Sequence, residues 1–115
     1  MVGDIFALEY YRYSYTAAVD VDVIPGQDAR LNSVTVNLDA APTTSEALTI
    51  TINYPAGGEY STLLLSTDLS TESTTDLVYQ PDAPLFLPKD GGITIAYANT
   101  DAAKIAISVV MEVEQ

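Results

Sequence analysis

The chain has 115 residues, and its 16 acidic and 4 basic side chains give it a formal net charge of −12 at pH 7. This length fits a single domain, since domains cluster at roughly 100 to 150 residues, and the charge disfavours nucleic acid and anionic membranes as partners. The sequence contains neither Cys nor His, which excludes disulfides and thiolate metal sites and removes the commonest general base. We therefore predict a protein that is not an enzyme, with no catalytic residue, no metal site and no cofactor.

The N-terminus has neither the basic start nor the continuous apolar middle of a secretory signal. No window approaches the roughly 20 apolar residues of a membrane span, so we expect the protein to be made in the cytoplasm without a membrane partner. An apolar fraction of 48% is high for so short a chain, because small folded domains leave much of their surface in water. Some apolar surface is therefore expected to meet another subunit.

The beginning of the chain is rich in tyrosine, because residues 5–16 contain four of the eight tyrosines. Aromatic residues favour strands, and in a strand Tyr11, Tyr13 and Tyr15 share one face. Arg12 then lies on the opposite face. The segment is either an edge strand of the domain or an arm lying on a neighbouring subunit, since tyrosine offers a large contact area with a polar tip. The predicted partner-binding residues are Tyr10, Tyr11, Arg12, Tyr13 and Tyr15.

Two strands are predicted next. Residues 19–23 alternate valine with aspartate, which indicates one core face and one anionic face. Pro25 and Gly26 end this strand. The following strand covers residues 31–39, and because Leu31 is out of phase with its other apolar residues, we expect a bulge near residues 32–33. Its inward side chains are Val34, Val36 and Leu38.

A long β-hairpin is predicted over residues 41–68. On its first arm Leu48, Ile50 and Ile52 alternate with polar residues, the two-residue period of a half-buried strand. A turn over residues 55–59 follows, because it contains a proline and two glycines. The returning arm covers residues 60–65, and residues 66–76 are polar without apolar period, which predicts a surface loop.

Four more strands complete the pattern. Two short ones are predicted over residues 77–80 and 85–87, with a proline-containing turn between them. The last two strands alternate apolar and polar residues. Their inward rows are Ile93, Ile95, Tyr97, Ile105, Ile107, Val109, Met111 and Val113.

The spacing of these elements predicts the fold class. Eight or nine short strands without an amphipathic helix indicate an all-β, single-domain antiparallel β-sandwich, and mixed connection lengths favour a jelly-roll-like subtype. An immunoglobulin-like sandwich is the rival, although the chain has neither the Trp nor the Cys of its antibody-type members. We divide the chain into residues 1–18, a Tyr-rich strand or arm, and a sandwich domain over residues 19–115.

Two groups of side chains have the chemistry of a ligand site, the aspartates and the tyrosines. Asp20 and Asp22 share one strand face, and Asp90 and Asp101 lie in turns, so their oxygens could serve Ca²⁺. No spaced ligand series is present, and a solvated acidic face is the favoured interpretation. The tyrosines could stack on sugars, but packing is favoured, and the absence of Trp weakens a lectin interpretation.

Residues 31–101 contain three recognisable pieces in a fixed order: LNSVTVNLDAAPTTSEALTITIN, then GGEY leading into LLLSTDLS, then TDLVYQPDAPLFLPKDGGITIAYANTD. Through these pieces the chain resembles small proteins encoded among the virion genes of tailed bacteriophages. The first 18 residues lie outside this region.

Such proteins resemble capsid decoration or cement proteins and related head appendages. The resemblance implies a non-enzymatic β domain on the outer surface of a virion, bound to the major capsid protein, often as a homotrimer. A host-binding fibre or lectin-like module of a phage particle is the alternative function.

Overall fold

The computed structural model describes residues 5–54, 61–71, 73–83 and 85–115. Within these residues every regular element is a β-strand. The strands are β1 (Phe6–Tyr15), β2 (Val19–Val23), β3 (Ala29–Leu38), β4 (Ala47–Asn53), β5 (Thr62–Asp68), β6 (Asp76–Tyr79), β7 (Leu85–Leu87), β8 (Gly92–Tyr97) and β9 (Ile105–Glu114).

The strands form two antiparallel sheets. The first sheet has the order β1-β9-β3-β6, with β7 also paired to β3, and the second has the order β2-β8-β4-β5. The chain passes back and forth between the sheets, so strands that are distant in sequence become neighbours. The predicted all-β sandwich is confirmed.

The core lies between the sheets and is built from the alternating rows of both. Every inward side chain predicted from alternation is buried, because a strand turns successive side chains to opposite faces. These residues are Val19, Val21, Val23, Val34, Val36, Leu38, Leu48, Ile50, Ile52, Ile93, Ile95, Tyr97, Ile105, Ile107, Val109, Met111 and Val113. Burying one large apolar side chain contributes about 1.5 to 3 kcal/mol, so these rows dominate the stability of the sandwich.

The bulge expected in the third strand is present. The pairing of β3 with β9 shifts register between Leu31 and Ser33. The extra residue lets both Leu31 and Val34 point into the core, where each is fully buried, although their spacing is odd.

Besides one-residue shifts, the strand bounds differ from the prediction at both ends of the predicted loop and at the start of β3. The loop predicted over residues 66–76 is wrong at both ends, because β5 extends to Asp68 and β6 begins at Asp76. Pairing with β4 holds residues 66–68 in the sheet. The polar composition of this segment gives no information about a strand partner elsewhere in the chain. Leu69, inside the predicted loop, is buried. Strand β3 begins at Ala29 because residues 29–31 pair with β7.

The hairpin prediction is tested only in its arms. Strands β4 and β5 pair antiparallel from Ala47↔Asp68 to Ile52↔Thr62, as predicted for a hairpin. The turn predicted over residues 55–59, together with Tyr60, lies outside the described residues.

Gly92 allows the edge strand β2 to approach β8 closely. A Cβ atom at this position would lie 2.5 Å from the carbonyl oxygen of Val23 and 2.9 Å from Cγ1 of Ile24. Both distances are shorter than van der Waals contact, so only glycine fits between the two strands here.

Candidate interaction surface

Strand β1 forms one edge of the first sheet. It pairs with β9 along its whole length, from Phe6↔Glu114 to Tyr15↔Ile105. The Tyr-rich segment is thus placed as an edge strand of the sandwich, one of the two arrangements that the sequence left open. Its role in binding a partner stays a prediction.

The predicted partner-binding residues divide between the two faces of β1. Tyr11, Tyr13 and Tyr15 are half-buried and pack against the core. Desolvation raises the pKa of Tyr11 and of Tyr13, because burial penalises the phenolate. Tyr10 and Arg12 point to the opposite, solvent-exposed face, where the Arg12 guanidinium lies 5.4 Å from the centre of the Tyr10 ring.

We use the name outer face for the solvent side of the first sheet. Directly paired residues of antiparallel strands point to the same face, and the register defines a row across four strands. The row runs from Leu8 to Glu112, then to Arg30 and to Phe86. Val78, paired with Thr35, belongs to the same face.

The outer face carries exposed apolar side chains among charged ones. Leu8 is 52% exposed, Tyr10 55%, Val78 65% and Phe86 54%. These are four of the seven exposed large hydrophobic side chains of the described residues. Phe86 is directly paired with Arg30, and aromatic side chains and arginine are both enriched at protein interfaces.

Both arginines of the chain also lie on the outer face. The Arg30 guanidinium lies 4.0 Å from the centre of the Phe6 ring, a cation–π geometry. Its Nε is 3.7 Å from Oε2 of Glu112, which is too long for a hydrogen bond. A partly exposed ion pair of this kind contributes about 0 to 1 kcal/mol, so it adds little to the stability of the sheet.

Two buried polar atoms beside the β3 bulge have no hydrogen-bond partner within the described residues. They are Nε of Arg30 and Oδ1 of Asn32. Asn32 also lines an open cleft of about 320 Å³ together with Gln80, Asp82 and Glu112.

The solvent side of the second sheet has a different character. Asn53 donates from Nδ2 to Oγ1 of Thr94 at 2.5 Å, and Thr94 donates from Oγ1 to Oδ1 of Asp22 at 2.6 Å. The hydrogen bonds link three strands, and their polar groups satisfy one another. The predicted anionic face of β2 is confirmed, since Asp20 and Asp22 are exposed while the valines between them are buried.

The loops at one end of the sandwich are held by Asp101. Its Oδ2 accepts from the backbone N–H groups of Thr43 at 2.7 Å and Thr44 at 3.1 Å, and its Oδ1 accepts from the Thr44 hydroxyl at 2.6 Å. These hydrogen bonds, the Thr44 hydroxyl first, lower the pKa of Asp101 from 3.8 to about 2.

Asp68 and Glu46 have equivalent roles in the same loops. Asp68 accepts from the hydroxyl of Ser45 and from the hydroxyl and backbone N–H of Ser70, and these bonds lower its pKa to about 2. Glu46 accepts from the backbone and hydroxyl of Thr100. These carboxylates are thus used to tie loops together. The described residues contain no group of three or more acidic side chains placed to hold a metal ion.

The sequence reasoning missed most of the outer face. Leu8, Val78 and Phe86 are apolar residues on the solvent-facing side of their strands, where the alternating pattern would place polar residues. This anomaly is the signal that could have identified them. They become a single surface only because β1, β6 and β7 are brought into one sheet.

Comparison with known proteins shows a likeness in fold to solved structures. No protein-family model and no curated protein matches the chain. A chain of the structure described as the cyanophage Pam1 capsid asymmetric unit is similar in fold, with a TM-score of 0.51 and 14% sequence identity, covering 96% of this chain and 86% of that one. At this identity the likeness is one of fold alone.

A second solved structure aligns more weakly. It is the Drosophila NLP core, described in relation to pentamer formation and histone binding, with a TM-score of 0.45 and 15% identity over 89% of this chain and 96% of that one. This alignment is too weak to support an argument.

The described part of the chain also contains no helix long and apolar enough to cross a membrane.

Proposed function

We propose that the protein is a non-enzymatic virion structural protein, a capsid decoration or cement protein bound to the major capsid protein on the outer surface of a bacteriophage particle. The observation that carries this proposal is the outer face, where exposed Tyr10, Val78 and Phe86 lie on the same sheet as both arginines. Arginine and aromatic side chains are enriched where proteins bind one another.

The fold supports the same proposal. The order β1-β9-β3-β6 facing β2-β8-β4-β5 is what we infer to be a jelly roll, an architecture common in viral capsid and lectin domains. The fold likeness to a chain of a cyanophage capsid spans nearly this whole chain. With the resemblance to phage virion proteins, it favours a structural role on the virion.

The charge distribution fits an outer position. A net charge of −12 is unfavourable beside packaged DNA, and like charge keeps particles apart in solution. Following the resemblance, we also propose that the protein acts as a homo-oligomer, a trimer on the capsid.

Other functions have less support. No histidine is present to activate a nucleophile, and the carboxylates of Asp68 and Asp101 are engaged by hydroxyl and amide donors. A sugar-stacking platform needs exposed rings, but among the described tyrosines Tyr10 alone is exposed. The host-binding alternative therefore has no specific observation in its favour.

The test is binding of purified protein to phage capsids that lack it, with a matched pair of variants. Phe86→Ala removes a ring that is 54% exposed on the outer face, whereas Leu63→Ala removes a side chain that is 56% exposed on the other sheet. We expect Phe86→Ala to weaken binding by about 2 kcal/mol, roughly thirtyfold, and Leu63→Ala to bind like the wild type.

Point variants are preferable to removing residues 1–15, because β1 is a strand of the first sheet and its loss would expose the core. Full occupancy of the capsid by Phe86→Ala would show that this part of the outer face is not the attachment surface. A wild-type protein that does not bind capsids would refute the decoration role.

A further inference from the structure

Strand β1 is a long sheet edge without a bulge. Natural sheets protect their edges with short strands, charges, prolines or bulges. The other edges follow this rule: β2 has five residues with two aspartates, β6 and β7 have four and three residues, and the pairing of β5 with β4 contains a register shift. Strand β1 has ten residues, contains no proline and pairs with β9 without a register shift, and its two charged residues, Glu9 and Arg12, have opposite signs.

The backbone groups on the free edge can be identified. The N–H of Gln115 donates to the carbonyl oxygen of Ile5 at 2.8 Å, so Ile5 directs its backbone groups toward β9. Backbone groups alternate in direction along a strand, and the even-numbered residues of β1 therefore direct theirs away from β9. These residues are Phe6, Leu8, Tyr10, Arg12 and Ser14. Within the described residues β1 pairs with β9 alone, which leaves these groups without a strand partner.

Exposed apolar side chains accompany this edge. Ile5 is 62% exposed, Leu8 52% and Tyr10 55%. Together with the free backbone groups, they indicate a surface that a further strand would cover.

We propose that β1 of a second copy of this chain pairs antiparallel with β1, so that the first sheets of two copies join across a two-fold axis. The length of β1 is the reason for choosing a second β1 as the pairing strand. Among the described strands at sheet edges, β1 alone has ten residues, so another β1 is the edge that can match it along its length. A two-fold contact uses the same surface on both subunits, and the proposal does not depend on a role in a virion.

The two-fold axis also selects the register. A two-fold axis perpendicular to the sheet pairs residues of the same parity. Placing Tyr10 opposite Tyr10 of the second copy gives every edge-facing residue of β1 a partner in the other β1. Centring the pairing on Tyr11 instead would leave Phe6 without such a partner, and centring it on Glu9 would leave Ser14 without one. With Tyr10 at the axis, Leu8 lies opposite Arg12 and Glu9 lies opposite Tyr11. The Glu9 side chains of the two copies therefore do not face each other. Such a contact pairs subunits two at a time, so it joins trimers if the protein forms trimers.

The test is a charge swap at the two-fold axis. Tyr10→Lys and Tyr10→Glu each place like charges opposite one another, and each should weaken the two-fold association by about tenfold or more. An equal mixture of the two variants should restore association, because Lys then faces Glu. Val78→Lys is the matched control, since Val78 is 65% exposed on the same face but at the opposite edge. The readout is the dissociation constant from sedimentation equilibrium.

Hydrogen exchange of the wild type provides a readout that needs no variant. As protein concentration rises, exchange should slow at the amides of Leu8, Tyr10 and Arg12, while the amides of Glu9 and Tyr11, which point toward β9, are protected at every concentration. A monomeric wild type, concentration-independent exchange at Tyr10, or a mixture of variants that fails to associate would each overturn the proposal.

Discussion

Two side chains at the loop end of the sandwich, Asn99 and Asp101, stabilise the loops in different ways. Asn99 is buried although it is polar, and its backbone has a positive φ of 50°. Its Nδ2 donates to the carbonyl oxygens of Ala17 at 2.9 Å and Ala103 at 3.0 Å. Asp101, two residues later, is exposed and holds Thr43 and Thr44 instead. One residue stabilises the loop end from inside and the other from its surface.

The surface carboxylates make stability depend on acid. The pKa of Asp68 and of Asp101 is lowered from 3.8 to about 2, so the unfolded chain binds protons at a pH where the folded one does not. Their contribution is present above pH 3.8 and is lost as the pH falls toward 2.

We therefore expect the melting temperature to fall between about pH 4 and pH 2. The double variant Asp68→Asn with Asp101→Asn should melt lower at pH 7 and should decline less steeply with acid. Asp82→Asn, a change of an exposed loop residue, is the control and should behave like the wild type. Equal acid dependence of the double variant and the wild type would contradict this explanation.

At the scale of elements, the fit of neighbouring strands depends on a few backbone contacts. The approach of β2 to β8 requires the absence of a side chain at Gly92. The β3 bulge keeps two rows of the core in phase.

Gly92→Ala should lower the free energy of unfolding by about 1 to 3 kcal/mol, because its Cβ would lie 2.5 Å from the Val23 carbonyl oxygen and overpacking costs that much. Gly26→Ala is the comparison. Gly26 has a φ of +80° and open space around a Cβ, so its cost of roughly 1 kcal/mol is one of backbone conformation alone. Urea unfolding measures both, and an unchanged Gly92→Ala stability would show that β2 can move away from β8 at little cost.

At the scale of the whole molecule, the sandwich has two unlike surfaces. The second sheet presents aspartates, mutually bonded polar groups and the exposed Leu63, whereas the first presents four exposed apolar side chains and both arginines beside Glu112. Copies that associate through the first sheet must still overcome the repulsion between two chains of net charge −12.

Self-association should therefore strengthen as salt is added. Between about 0.01 M and 0.15 M ionic strength the screening length falls from about 30 Å to about 8 Å, which screens the repulsion between copies. Sedimentation at the two ionic strengths measures the change. Weaker association at the higher ionic strength would indicate that attraction between opposite charges dominates the contact.

The sequence by itself determined the strands and their buried faces. Alternation is a local property that a two-layer β fold must satisfy, and every predicted inward residue is buried. The bulge was predictable for the same reason, since Leu31 broke the phase of its strand.

Apart from the predicted pairing of β4 with β5, only the tertiary structure decided which strands are neighbours. Pairing of β1 with β9 and of β3 with β7 joins segments that are far apart in the chain, and alternation carries no information about partners. The same pairing extends β5 through residues that look like a loop, turns Tyr11, Tyr13 and Tyr15 onto the core, and gathers Leu8, Val78 and Phe86 on one face. The candidate surface arises from these long-range pairings, which is why the local sequence pattern could not show it.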